Sequence, residues 1–339
     1  MKEKDEISAQ AISLISGGLD SQLAAKIILD QGVHVVGVYF ETGFLGDTDR
    51  SFFDHVESDL GVDIRLRKVD EDRYSELILN PDHGYGSSIN PCIDCRIYTL
   101  SLARKMMEDL GADFVVTGEV LGQRPMTQNR DSLNLIRRKS GLKDRLLRPL
   151  SAKLLPPTLP EKEGWVSRED LFEISGRSRK EQLELAEKYG IEEYHQPAGG
   201  CLLTENAFAK RAEELFSRKG RPHTGVDDLK LLKYGRHFLL PGGGKAIVGR
   251  DREDNEALSA YLDGHWGLRV VEYPGPLTLI PSGIYEEDLL WTAALTGRYS
   301  QGRDVDSVRV ELIVNGEEER TLRVAPLDRD DSRITDRRI

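Results

Sequence analysis

Ala11 to Ile15 reads as an almost unbroken apolar run, and beyond Ser21 the apolar residues Leu23, Ala24, Ile27 and Ile28 recur at helical spacing. That change of period predicts a short buried strand, a turn over Ser16–Ser21 and a helix. Gln31-Gly32 ends the helix, and VHVVGVYFE reads as a second buried strand. Strand, helix and strand at this spacing form a β-α-β unit, and therefore a parallel sheet. A helix over Ser51–Leu60, a third strand in VDIRLRKVD, a helix from about Arg96 to Leu110 and a fourth strand in GADFVVTGEVLGQ continue the pattern. The proline-rich stretch PPTLPEKEGWVSRED predicts a semi-rigid connection with a capping box at Ser167–Asp170. RSRKEQLELAEKYG then predicts an amphipathic helix stopped by Gly190. From about Gly220 the character changes: LRVVEY, SVRVELIVNG and ERTLRVA predict a small mixed or antiparallel β domain, and the charged tail from Asp328 is expected to be disordered. The expected architecture is an α/β parallel-sheet domain over 1–220, a smaller α+β module over 221–327 and a tail over 328–339.

A length of 339 residues suits two domains. No apolar run reaches the roughly eighteen residues of a membrane span, and MKEKDEIS lacks an apolar signal core, so a cytoplasmic protein without membrane contact is expected. The formal net charge of −11 argues against indiscriminate binding of polyanions. One segment runs the other way: Arg124, Arg130, Arg137, Arg138, Lys139, Lys143, Arg145 and Arg148 stand against Asp131 and Asp144, a local basic footprint suited to phosphate backbones.

Two glycines in Ser16-Gly17-Gly18-Leu19-Asp20-Ser21 let backbone N–H groups and a helix N-terminus approach an anion, and Ser16 and Ser21 add hydroxyls. The loop lacks the GK[ST] ending of the lysine-bearing phosphate loop. The three cysteines, Cys92, Cys95 and Cys201, are an odd set that argues for metal or redox chemistry over a disulfide framework. Cys92 and Cys95 follow the turn-rich NPDHGYGSSINP and open a helix, where the dipole favours thiolates. Their spacing places two sulfurs within reach of one metal or cluster. His83, in the same loop, reads as a turn residue and not a ligand.

SGGLDS resembles the SGGxDS signature of the PP-loop ATP pyrophosphatases, which have an adenine nucleotide alpha hydrolase-like fold. The resemblance implies that Ser16, Gly17, Gly18, Leu19, Asp20 and Ser21 grip ATP with Mg2+, that Asp20 and Ser21 act at the α-phosphate, and that Tyr39 and Phe40 border the adenine. Thr117-Gly118-Glu119, with Gly122 and Gln123, is similar to the matching segment of the tRNA 4-thiouridine synthases, the ThiI family; this implies that Thr117, Gly118 and Gln123 close over the nucleotide. NPCIDC with the distant, glycine-flanked Cys201 resembles the cluster-dependent tRNA thiolases, including members of the 2-thiouridylase (MnmA) family. By that likeness Cys92, Cys95 and Cys201 hold one 4Fe-4S cluster with an open iron; zinc, with His83 or His195 as fourth ligand, is the less favoured occupant.

Residues 226–262 resemble the RNA-binding module of the NFACT family, which implies RNA contacts from His237, Lys245 and Arg250. Neither a THUMP-type tRNA-binding segment nor a rhodanese segment is recognisable, so sulfide or a sulfur-donor protein is the expected source. The expected activity is ATP-dependent thiolation of a tRNA uridine, with AMP and pyrophosphate as products, and a homodimer is compatible with it. The alternatives are a persulfide carried on one of the cysteines, an amide- or nitrile-forming synthase with a cysteine-bound zinc acting on a small molecule, and a non-catalytic RNA-binding adaptor.

Overall fold

A computed structural model of the chain describes residues 9–45, 50–195, 200–281 and 286–339. Its contacts divide the chain into a unit ending at Glu205 and a second unit, Asn206–Ile339. The first contains β1 (Gln10–Leu14), α1 (Leu19–Leu29), β2 (His34–Glu41), α2 (Arg50–Leu60), β3 (Asp63–Lys68), α3 (Glu71–Leu79), α4 (Cys92–Asp109), β4 (Phe114–Val116), α5 (Arg130–Lys139), β5 (Leu146–Leu147), α6 (Leu159–Lys162) and α7 (Lys180–Tyr189). The sheet order is β3-β2-β1-β4-β5 and every described pairing is parallel. Ile12 and Val36 pack with Leu100 and Ala103 of α4, while Ala11 and Val35 pack with Leu23 and Ile27 of α1. Both faces are therefore buried, which is why β1 and β2 read as continuous apolar runs.

Chain order reverses between β1 and β4. Such a switch point opens a crevice at the carboxyl ends of the strands, where open α/β sheets bind ligands. The SGGLDS loop leaves β1 there and Thr117–Glu119 leaves β4 there.

The proline-rich connection is more ordered than its composition suggests. The capping box lies at Thr158 and Glu161, whose carboxylate accepts from the Thr158 N–H at 2.7 Å, while Arg168–Asp170 forms one 3-10 turn. Gly190 closes α7 in the left-handed region, as the sequence predicts.

The second unit contains α8 (Asn206–Lys219), α9 (Val226–Leu231), β6 (Arg236–Leu239), β7 (Lys245–Val248), α10 (Arg252–Ser259), β8 (Trp266–Val270), β9 (Thr278–Ile280), α11 (Glu286–Arg298), β10 (Val308–Val314), β11 (Glu317–Val324) and α12 (Ser332–Asp336). Its sheet, β11-β10-β8-β9-β7-β6, is antiparallel at every described pairing. Asn315 and Gly316, both at positive φ, make the two-residue hairpin between β10 and β11. The tail expected to be disordered is packed instead. Ile334 lies against the Phe238 and Leu295 cluster, and the Leu239 and Ile339 N–H groups bond to the Arg337 and His237 carbonyls at 2.9 and 3.0 Å. Apolar packing and a run of backbone bonds outweigh its charge. Among the described residues no helix is long and apolar enough to cross a membrane.

Candidate active site

The SGGLDS loop is cross-braced by its own side chains. Ser21 Oγ donates to the Gly18 carbonyl at 2.7 Å and accepts from the Ser16 N–H at 3.1 Å. Leu19 is buried beneath the loop, so only its backbone is available to a ligand. The close approach that Gly118 permits is to this loop: a Cβ there would lie 2.4 Å from the Asp20 carbonyl carbon and 2.5 Å from the Ser21 nitrogen. Gly17 adopts positive φ, and its carbonyl accepts from the His195 N–H at 2.9 Å. The His195 ring stacks on Phe52 at 3.9 Å.

Asp20, in the first turn of α1, accepts from Gln123 Nε2 at 2.7 Å, and Gln123 in turn accepts from Gln182 of α7 at 3.1 Å. Arg179 reaches the other Asp20 oxygen at 3.7 Å. Thr117 and Glu119 are buried behind the loop, with Thr117 Oγ1 donating to Glu119. Arg148 closes on Glu119 at 2.8 Å and Arg96 at 3.3 Å. Burial alone would raise the Glu119 pKa; Arg148 and Arg96 outweigh it and hold the carboxyl below its usual range.

The three thiols gather at the same end of the sheet. A helix leading down into a parallel strand begins at the carboxyl edge, which places Cys92 and Cys95, in the first turn of α4, near the loop's end of the sheet. Cys201 bridges to Leu45, just past the carboxyl end of β2, and the Leu202 N–H bonds to the Phe44 carbonyl at 2.8 Å. All three cysteines are free and half-buried. The Cys201 thiol is pushed up to about 12 by burial, with the Cys95 and Cys92 charges adding to it, so the three groups sense one another. Burial also raises Cys95, outweighing the Tyr74 hydrogen bond and the Arg96 charge that lower it. Tyr74 Oη lies 3.1 Å from Cys95 Sγ and Asn90 Nδ2 donates to Cys92 Sγ at 3.0 Å. His83 bonds to Asp94 at 2.7 Å.

Three thiols with hydrogen-bond partners suit a soft metal or cluster chemically. As folded, the described residues contain no group of three His, Cys, Asp or Glu side chains arranged to hold one metal ion.

Several expected site residues prove to have other tasks. Tyr39 is a core residue, its ring 4.7 Å from Phe53, and Phe40 packs against the α4 side of the sheet. Arg148, read as part of the basic run, is buried on Glu119. Arg124, Arg130, Arg138, Lys139, Lys143 and Arg145 are exposed and Arg137 is half-buried. In the second unit His237 is fully buried, facing the Tyr234 carbonyl at 2.8 Å; Lys245 is buried on Glu214 at 2.6 Å; Arg250 is paired with Asp254 at 2.6 Å. Neither His237 nor Lys245 can reach an RNA phosphate in this conformation, because the fold uses both. Sequence reading missed Arg179, Gln182, Tyr74 and Asn90 as site residues; only Asn90 carried a signal, its place two residues before Cys92.

Residues 6–153 match the family model described as "Thiamine biosynthesis protein (ThiI)", and residues 235–334 match "NFACT protein RNA binding domain". Similar curated proteins include a "Probable tRNA sulfurtransferase" of Methanothermobacter thermautotrophicus, 26% identical over 42% of this chain and 36% of its own length. A "tRNA-specific 2-thiouridylase MnmA" of Syntrophotalea carbinolica is 31% identical over 35% of this chain and 36% of its own. The protein of that name from Listeria monocytogenes is 24% identical over 71% and 68%. The chain thus spans about a third of the length of the first two relatives. Residues 6–153 of the parallel-sheet unit are thus similar to the ThiI family, and residues 235–334 of the antiparallel unit are similar to the NFACT RNA-binding domain.

Proposed function

We propose that the protein is an ATP-dependent tRNA uridine thiolase. The observation that carries this reading is a continuous set of contacts between the cysteines and the loop. Arg96, next to Cys95, pairs with Glu119, whose neighbour Gly118 is pressed onto Asp20 and Ser21. A loop shaped for phosphate and three thiols thus share one end of one sheet.

In the reaction, the uridine carbonyl oxygen attacks the α-phosphorus of ATP, the bond to the β-phosphate oxygen breaks with its electron pair going to pyrophosphate, and the N3 proton leaves to solvent. Hydrosulfide then attacks the activated carbon and AMP departs. Loop N–H groups stabilise charge on the transferring phosphate, where preorganised donors have their largest effect. Asp20 Oδ1, buried without a hydrogen-bond partner among the described residues, suits a hard cation and would hold Mg2+, which neutralises phosphate charge when bound. Cys92, Cys95 and Cys201 would hold a 4Fe-4S cluster, which supplies an open iron for sulfide. Sulfide or a donor protein is the sulfur source, and the exposed cations from Arg124 to Arg145 face the tRNA backbone.

The test is tRNA thiolation by anaerobically purified protein, with iron and acid-labile sulfide measured on the same sample. Thiolation that needs ATP and is lost in Cys201→Ser supports the reading. Active protein without iron, carrying a cyanide-releasable persulfide on one of the cysteines, would transfer the sulfur step to a persulfide. No ATP-dependent thiolation of any tRNA pool would overturn it.

A further inference from the structure

Arg179 stands 159 residues from Asp20 in sequence, yet the fold brings it to the loop by a specific route. Gly122, at positive φ, lies against Gly176: a Cβ on Gly122 would come within 3.3 Å of the Gly176 nitrogen. The Gly176 N–H donates to the Leu121 carbonyl at 2.7 Å, and Leu121 and Ser175 form a parallel bridge. Buried Ser151 ties the two strands together, accepting from the Leu121 N–H at 2.9 Å and donating to the Ile174 carbonyl at 2.7 Å. α7 starts immediately afterwards, so Arg179 and, three residues on, Gln182 share the face of the helix that meets α1.

What stands there is left incomplete. Among the described residues Arg179 Nε, Asp20 Oδ1 and Gln182 Oε1 are all buried without hydrogen-bond partners, three polar atoms around one loop. Arg179 contacts Asp20 only at 3.7 Å, beyond hydrogen-bond range. A guanidinium has five donors in a fixed fork that matches phosphate oxygens, and a structural ion pair would be expected to use them. Single atoms of this kind also occur elsewhere, at Arg104 Nε and Arg137 Nε; what calls for an explanation is three of them around one loop, and a ligand accounts for all three at once.

We propose that Arg179 is a catalytic residue that takes up the pyrophosphate half of ATP. The inference rests on the adenylation reading above. With the nucleotide in the loop, the guanidinium exchanges its loose contact with Asp20 for β- and γ-phosphate oxygens. As the bond from the α-phosphorus to the bridging oxygen breaks, the electron pair moves onto pyrophosphate and Arg179 meets the growing charge. Lys180 cannot substitute from its own position, because its side chain is exposed and directed to Glu184. Arg179 therefore distinguishes a triphosphate from AMP, and it acts on the leaving group and not on the base.

The experiment compares binding of inorganic pyrophosphate and of AMP to the full chain by calorimetry in wild type, Arg179→Gln and Arg179→Lys. Thermal unfolding serves as the check on folding, and ATP–pyrophosphate exchange in the presence of tRNA as the kinetic readout. In Arg179→Gln we expect pyrophosphate affinity to fall about 10- to 100-fold, AMP affinity to stay within about twofold, and exchange to slow by about 100-fold. Arg179→Lys, which keeps the charge and loses the fork, should lie between, and it carries the test if the glutamine variant does not fold. Unchanged pyrophosphate affinity overturns the proposal. An equal loss of AMP affinity also overturns it, since the arginine would then only hold the loop in shape. Wild-type protein that binds neither ATP nor AMP would strike the adenylation reading itself, a result separate from these.

Discussion

Around the glycine loop of the first unit, Arg179 and Asp20 stand 3.7 Å apart, and among the described residues each keeps a buried polar atom without a hydrogen-bond partner. In the second unit Lys245 meets Glu214 at 2.6 Å, with Arg218 on the same carboxylate at 2.7 Å, and Arg250 meets Asp254 at 2.6 Å. Both sets of residues are charged, both lie in segments with recognisable motifs, and both include cations that could meet phosphate. The difference is satisfaction. A closed buried pair belongs to the fold, since breaking it leaves a charge without compensation, whereas a loose pair with open donors is arranged for something not yet there. Within the first unit Glu119 stands between the two: Arg148 closes on its Oε2 at 2.8 Å, while its Oε1 meets Arg96 at 3.3 Å without a hydrogen bond among the described residues.

The largest effect expected from this comparison is in the second unit. Lys245→Ala removes one partner of a buried pair and should destabilise that unit by about 3–5 kcal/mol. ATP binding by the first unit should be untouched. Chemical denaturation of the purified variant, followed by the fluorescence of Trp266 and Trp291, measures it; a loss under about 1 kcal/mol would mean that Lys245 is free to serve RNA after all.

His237 supplies the next effect. Burial, then the Lys245 and Arg211 charges, hold its folded pKa well below 6.5, so the unfolded chain binds the proton more readily. Stability from this group is complete above pH 6.5 and falls as pH drops below it, by about 1.4 kcal/mol per pH unit until the folded pKa is reached. Unfolding free energies measured between about pH 7.5 and 5 should show this slope, and His237→Gln should flatten it. A slope unaltered by the substitution would assign the acid sensitivity to other groups.

Asp20→Asn tests the open side of the comparison. The amide can still accept from Gln123, and among the described residues Oδ1 has no hydrogen bond to lose, so stability should change by less than about 1 kcal/mol. ATP–pyrophosphate exchange should nevertheless fall about 100-fold or more, because the carboxylate would hold the Mg2+ that neutralises phosphate charge. A variant that is strongly destabilised, or one that exchanges at the wild-type rate, would place Asp20 with the closed pairs.

Backbone-borne features were legible in the sequence and side-chain partnerships were not. Ser16–Ser21 was readable because a strand, two glycines and a helix are a local pattern, and Cys92 with Cys95 because a helix start is one too. Parallel pairing followed from the β-α-β spacing. Arg179 and Gln182 gave no signal: they reach the loop through the Gly122–Gly176 contact, which only the folded chain creates. Lys245 and His237 were misread for the same reason. Glu214 lies 31 residues before Lys245 on α8, and the RHF segment of β6 offers no alternation that would show His237 turned inward. Tyr39 ends a strand and could have faced a ligand; packing on Phe53 decided otherwise.

The smallest effect on stability is expected where the cations are neither closed nor held half-open. Arg138, Lys139 and Lys143 are exposed, and no ion pair ties them among the described residues. Replacing all three by glutamine should cost about a few tenths of a kcal/mol each at most, chiefly from the two at the C-terminal end of α5, where positive charge complements the helix dipole. Their effect should appear in RNA binding, because each phosphate that is no longer neutralised takes about 0.7–0.9 off the slope of log affinity against log salt. Titrating labelled tRNA over a series of salt concentrations gives that slope directly. A drop of about two across the triple variant, with thermal stability preserved, would make this surface the RNA-facing counterpart of the buried pairs. An unchanged slope would leave these three cations as a solvated helix end, and tRNA would have to be held elsewhere.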